Sequence, residues 1–173
     1  MFGRKSSADH IRAELPGVYA RLWRYCVVLT GRVDWADDLA QTVCLRALDK
    51  ANQFTPGTHL DRWLFTLALS VWRNELRGRK LRQGHGLIPV DEAALEAPVL
   101  PAEMNIFARQ VLSQIQALPE AQRMAVLLVY IEGNSYQHCA DILGIPIGTV
   151  MSRLAAARAR LKWMQEGSEG SQL

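Results

Sequence analysis

Ten residues near the middle of the chain, Arg73 to Arg82, carry five bases (Arg73, Arg77, Arg79, Lys80, Arg82) against one acid, Glu75, a local balance of +4. A second run, Arg153 to Lys162, has four bases and no acid, and between the two, residues 87–104 hold four acids (Asp91, Glu92, Glu96, Glu103) and no base. Lysine and arginine at this density neutralise phosphates, so two basic patches on either side of an acidic spacer have the pattern of two contacts with one polyanion. On charge alone, two solvated helix faces fit as well. Covalent and acid–base chemistry find no such pattern. No G-x-x-x-x-G-K-S/T, G-x-S-x-G or H-E-x-x-H occurs, and the carboxylates gather in the spacer or at helix starts rather than in pairs beside apolar pockets. His138 and Cys139 are adjacent but lack two further ligands at metal spacing, which makes them core residues in expectation. No catalytic group, metal or cofactor is therefore expected.

The segment Tyr136 to Ala155 is more specific, because its constraints are steric. Two helices meeting at a steep angle need a small residue where they approach, a glycine in the turn and an apolar residue sealing the second helix; Ala140, Gly144 and Val150 stand at that spacing. The second helix then presents Thr149, Ser152, Arg153 and Ala156 outward, with hydroxyl and guanidinium groups suited to phosphates and base edges. An ordinary helical hairpin satisfies the same spacing.

These residues need elements to place them. Hydrophobic residues make up 49% of the 173 and charged residues 21%, a globular balance. The longest apolar run, Met124 to Ile131, falls short of the roughly 18 to 20 residues of a membrane span, and MFGRKSSADH lacks a signal-peptide core, so a cytoplasmic location without membrane insertion is expected. Cys26, Cys44 and Cys139 are odd in number and sit in apolar stretches, as reduced core thiols do. Val18, Leu22, Cys26 and Leu29 stripe a helix that follows Pro16 and stops near Gly31. Asp34 can cap a second helix reaching about Lys50, with Asp37 at its third position to complement the dipole. After the turn at 52–59, Leu60, Leu64, Leu67 and Val71 stripe a third helix that ends in the first basic patch, with Trp63 and Phe65 expected in the core. Gln83 to Pro101, with two glycines and three prolines, reads as a linker. Beyond it, Phe107, Val111, Ile115 and Leu118 stripe one helix, Pro119 opens an apolar helix to Glu132, Ser135 caps a short helix closed by Gly144, and Val150, Leu154, Ala157 and Leu161 stripe the last. The tail GSEGSQL is expected to fray. This is an all-α chain of two small helical domains joined by a flexible linker.

The wording of the sequence points further. LPEAQRMAVLLVYIEGNSYQHCADILGIPIGTVMSRLAAARARL resembles region 4 of bacterial sigma factors, particularly the extracytoplasmic-function (ECF) group. DWADDLAQTVCLRAL (Asp34 to Leu48) resembles region 2.2, and FTPGTHLDRWLFTLALSVWRNELRGRK (Phe54 to Lys80) resembles regions 2.3 and 2.4. The resemblance implies region 2 at residues 8–82, a linker at 83–102 and a helix-turn-helix region 4 at 103–165. It implies a non-enzymatic protein that binds core RNA polymerase, through the β′ clamp helices and the β flap, and directs promoter-specific initiation. The implied partners are promoter DNA and an anti-sigma factor, and the chain is expected to be monomeric alone. A sigma-like decoy that binds an anti-sigma factor without reading promoters is the alternative, and the basic patches argue against it.

The implied roles fall on named residues. Asp37, Asp38, Leu39, Gln41 and Arg46 match positions that grip polymerase, although Leu39, Val43 and Ala47 also have core spacing and Thr42 stands where a glutamate is usual. Ser70, Trp72, Arg73, Asn74, Arg77, Arg79, Lys80 and Arg82 match the surface that binds the minus-ten element, where cations follow phosphates and flat groups receive an unstacked base. The usual arginine-asparagine pair there is Leu69-Ser70, and an aspartate is replaced by Asn74; Trp72, where a small residue is common, could stack on a base, but a large aromatic beside Val71 fits packing at least as well. Thr149, Ser152, Arg153, Ala156 and Arg158 match the minus-thirty-five reader, with Ala156 in place of an arginine. A bidentate arginine-guanine contact contributes about 1 to 3 kcal/mol of discrimination, so its absence implies altered promoter preference.

Overall fold

The structure, a computed structural model, describes the backbone of residues 6–82 and 113–169 and the side chains of 6–79 and 113–161. Every regular element among the described residues is helical, and the chain divides into two compact units, Met1–Ala94 and Leu95–Leu173. The linker stretch Gln83–Pro101 and the stripe residues Phe107 and Val111 lie outside the described residues.

In the first unit α1 runs Ser7–Thr30, α2 Val33–Asp49 and α3 Leu60–Arg82, with a short 3-10 turn at Ala51–Gln53. Helix α1 begins well before Pro16, which lies inside it. Its start is set by a capping box: the Ser6 hydroxyl accepts the Asp9 N–H at 3.2 Å, and the Asp9 carboxylate accepts the Ser6 N–H at 3.3 Å. Burial of Ile11 holds this first part against the core, so one missing proline N–H does not end the helix. Gly31, at φ 73°, closes α1 with its N–H on the Val27 carbonyl at 2.9 Å. The start of α2 also departs from expectation. Arg32 is its N-cap and Asp34 lies in the first turn, where both its carboxylate oxygens accept from the Arg32 guanidinium at 3.1 and 2.8 Å.

The three helices close over Leu22, Tyr25 and Cys26 of α1, Ala36, Val43 and Ala47 of α2, and Leu64, Phe65 and Ala68 of α3, all buried. Tyr25 and Phe65 stack with ring centroids 4.7 Å apart, and burial of each such large side chain stabilises by about 2 kcal/mol. Arg21 adds an ion pair to Asp61 at 2.7 Å, tying α1 to the first turn of α3.

In the second unit a helical turn at 113–116 precedes α4, Glu120–Val126, whose N-cap is Pro119. Helix α4 does not continue as a regular helix to Glu132: Leu127–Ile131 form a π turn, with the Glu132 N–H on the Leu127 carbonyl at 2.9 Å. Asn134 then donates both its backbone N–H and its side-chain amide to the Leu128 carbonyl, each at 3.0 Å. Ser135 caps α5, Tyr136–Leu143, by accepting the His138 N–H at 3.1 Å, and Gly144 takes the left-handed conformation at φ 65°. The last helix, α6, runs Ile147–Glu169, so its backbone covers the first part of the tail expected to fray. Helix α5 and residues Ile147–Leu161 meet at 104°, with Ala140 and Val150 buried at the approach. This is the helix-turn-helix geometry. Among the described residues no single helix is long and apolar enough to cross a membrane.

Candidate functional site

Helix α2 buries Ala36, Leu39, Ala40, Val43 and Ala47, and the same periodicity turns Asp37, Asp38, Gln41, Leu45 and Arg46 outward. Leu39, 6% exposed, belongs to the core and is removed from the contact face, whereas Leu45 is 66% exposed. Asp37 lies beyond the first turn, so it does not complement the dipole as its expected third position would. Its carboxylate accepts the Trp23 indole N–H at 2.6 Å, a link from α2 to α1. Tyr19 is exposed on α1, and its phenol is pushed above the usual tyrosine range by partial burial and by the neighbouring Cys44 and Asp37.

The second surface is the far end of α3. Ser70, Arg73, Asn74 and Arg77 are exposed, and Arg77 is oriented by bonds to Asn74 Oδ1 at 2.8 Å and to the Arg73 carbonyl at 3.3 Å. Leu69 is buried, so the position of the usual arginine serves the core. Of the two roles open to Trp72, the structure favours packing over base stacking: it is 6% exposed and tilts against Trp35 at 5.8 Å. Arg79 is half-buried, bonded to Glu75 at 2.9 Å and lying over the Trp35 ring at 4.2 Å. The side chains of Lys80 and Arg82 lie outside the described residues.

The third surface is the outer side of α6. Val150, Leu154 and Ala157 are buried against the unit, which leaves Ser152, Ala156 and Arg158 exposed and Thr149 and Arg153 half-buried. Ser152 donates its hydroxyl to the Thr149 carbonyl at 3.0 Å. Arg158 donates to the Tyr130 hydroxyl at 3.0 Å, a pairing that no local sequence pattern signals because it joins α6 to the π turn. Met151, 53% exposed, is a further outward side chain. Burial pushes the Cys139 thiol up to about 11, partly offset by Arg153. Among the described residues no group of histidine, cysteine, aspartate or glutamate side chains could hold a metal ion.

A three-helix unit whose third helix turns Arg73 and Arg77 outward, and a helix-turn-helix unit with cations along its second helix, have the build of a nucleic-acid-binding regulator. The family models agree on which: the sigma-70 region 2 model matches residues 10–82 and the sigma-70 region 4 model residues 108–161. The chain is 31% identical over 153 residues to the ECF RNA polymerase sigma factor EcfG of Rhodopseudomonas palustris (strain TIE-1), covering 88% of this chain and 83% of that protein. It is similar to the sigma factor RpoE of Bartonella quintana, solved in complex with the anti-sigma factor NepR, at a TM-score of 0.73 and 29% identity over 90% of this chain and 96% of that one. The fold is also that of CnrH, solved in complex with the cytosolic domain of CnrY, at a TM-score of 0.62 and 19% identity, covering 93% of each chain. The chain belongs to the ECF group of RNA polymerase sigma factors, which are not themselves enzymes.

Proposed function

We propose that this sigma factor divides its work between its two units: one at residues 8–82 that holds core RNA polymerase and the minus-ten element, and one at 103–165 that reads the minus-thirty-five element, with 83–102 as linker. The observation that carries this reading is the outward placement of cations on both matched regions, Arg73 and Arg77 on α3 and Arg158 on α6. Asp37, Asp38, Gln41 and Arg46 offer acid, amide and guanidinium groups to the β′ clamp helices, with Leu45 as an apolar centre. The second unit would meet the β flap. Ser152 and Arg153 face the base edges while Arg158, Arg160 and Lys162 follow phosphates.

The RpoE relative was solved with an anti-sigma factor, and a partner of that kind is proposed here, masking the polymerase-binding faces of a monomer held in the cytoplasm. A decoy confined to binding an anti-sigma factor has no use for cations at the end of α3. Run-off transcription with core polymerase and a promoter library tests the assignment. Selective initiation on a subset of promoters is the expected result, and initiation indistinguishable from core polymerase alone would overturn it.

A further inference from the structure

Past Trp72, helix α3 loses its hold on the core: none of residues 73–79 is buried, and Gly78 is a poor helix former. Yet this is the stretch that aims Arg73 and Arg77 outward. A fastening comes from α2. The Arg79 guanidinium lies 4.2 Å from the centroid of the Trp35 ring and 5.9 Å from that of Trp72, and Arg32 lies 4.9 Å from the Trp35 ring. The two indoles touch at 5.8 Å, and Arg79 is further fixed by Glu75 at 2.9 Å. A planar guanidinium on an indole face is a directional contact, strongest with tryptophan.

Resting on the sigma-factor reading, we propose that Trp35 is a positioning residue: through Arg79 it holds the last turns of α3 in the orientation that presents Arg73 and Arg77 to promoter DNA. Arg79 thereby acts as a fastener rather than a phosphate ligand: its face lies on the indole and its Nε–H is held by Glu75, which commits the guanidinium to α2. The stack also ties the DNA-facing end of α3 to the turn of α2 that carries Asp37 and Asp38.

The test is a double-mutant cycle in the full-length chain with core polymerase, using Trp35→Leu, Arg79→Gln and the pair. Promoter opening is read by permanganate reactivity of unpaired thymines on a promoter recovered from the library. Each single substitution is expected to lower opening about fivefold, the order of one half-desolvated cation–π contact, with the double no worse than the worse single. Core binding should stay within about twofold in all three, because the exposed α2 side chains are untouched. Trp35→Phe, which keeps an aromatic face, should restore most of the opening. Arg79→Lys should lose nearly as much as Arg79→Gln, since charge without a flat fork does not keep the stack.

If Arg79 instead grips a phosphate, Arg79→Lys will retain opening, Arg79→Gln will lower the salt slope by about one ion with or without Trp35→Leu, and the two losses will multiply. Any of these would overturn the assignment, as would wild-type opening in Trp35→Leu. Should wild-type protein fail to initiate with core at all, the sigma-factor reading fails and this one with it as a functional claim. The thermal stability cycle of the free protein would then still decide whether Trp35 and Arg79 are coupled.

Discussion

Asp37 and Asp38 are adjacent in sequence and differ in what they hold. Asp37 anchors the Trp23 indole, while Asp38 stands exposed beside Gln41. Replacing Asp38 and Gln41 together with alanine is expected to weaken core-polymerase binding at least tenfold, as charge-assisted contacts at an interface do, with the helical circular dichroism unchanged. Asp37→Ala should also weaken that binding and, unlike the pair, lower thermal stability by about 1 kcal/mol through loss of the bond to Trp23. A titration of polymerase affinity set beside a melt for each variant separates the two. The thiols offer a second check. Cys26 and Cys139 are buried while Cys44 is half-buried, so a maleimide should label Cys44 first and reach the other two only on unfolding. Mass spectrometry after limited labelling reads the order. The acid-amide pattern was legible in the sequence because helical spacing alone turns Asp38 and Gln41 away from Leu39 and Val43. The Trp23–Asp37 bond was not legible, and the sequence left Trp72 open between packing and base stacking, since each depends on which helix lies alongside.

At the scale of the element, the parts read correctly from sequence were those decided within a few residues. Ser135 as a cap, Gly144 as a turn and Val150 as a seal follow from local backbone chemistry. The start of α1 was local too, in the Ser6 and Asp9 pair, but Pro16 is the stronger-looking signal and points to the wrong boundary. Gly144→Ala is expected to cost about 1 to 2 kcal/mol. That cost is purely conformational, because a Cβ there would meet nothing within 4 Å. Promoter recognition should fall with it as α6 loses its angle, and a melt compared with run-off transcription measures both. Along α6, Arg153→Ala should reduce initiation selectively among promoters, whereas Arg160→Ala should weaken all promoters alike. Equal, uniform losses would leave Arg153 as a phosphate contact only. The π turn at Leu127–Ile131 lay hidden because its apolar residues fit either helix type. Removing one residue from it should rotate α5 by about 100° about the axis of α4 and destroy the packing that seals the second unit.

At the scale of the molecule, each unit has a core made from its own helices, and their stabilities are expected to be separable. Phe65→Ala should cost the first unit about 3 to 5 kcal/mol and leave the second unit's transition where it was. Calorimetry resolves the two, and a shift of both transitions together would contradict the division. The placement of aromatic residues makes the same division visible to light. Of the five tryptophans, Trp23, Trp35, Trp63 and Trp72 fall in the first unit and Trp163 in the second. Steady-state emission on heating is therefore dominated by one half of the chain, while far-ultraviolet ellipticity weighs every helix. Trp23, which donates to a carboxylate, and Trp35, which lies beneath two guanidiniums, have charged groups close to their rings, so their emission should shift in colour when those contacts part. The intrinsic glow of this protein is thus an unlabelled gauge of whether α2 is still seated between its neighbours.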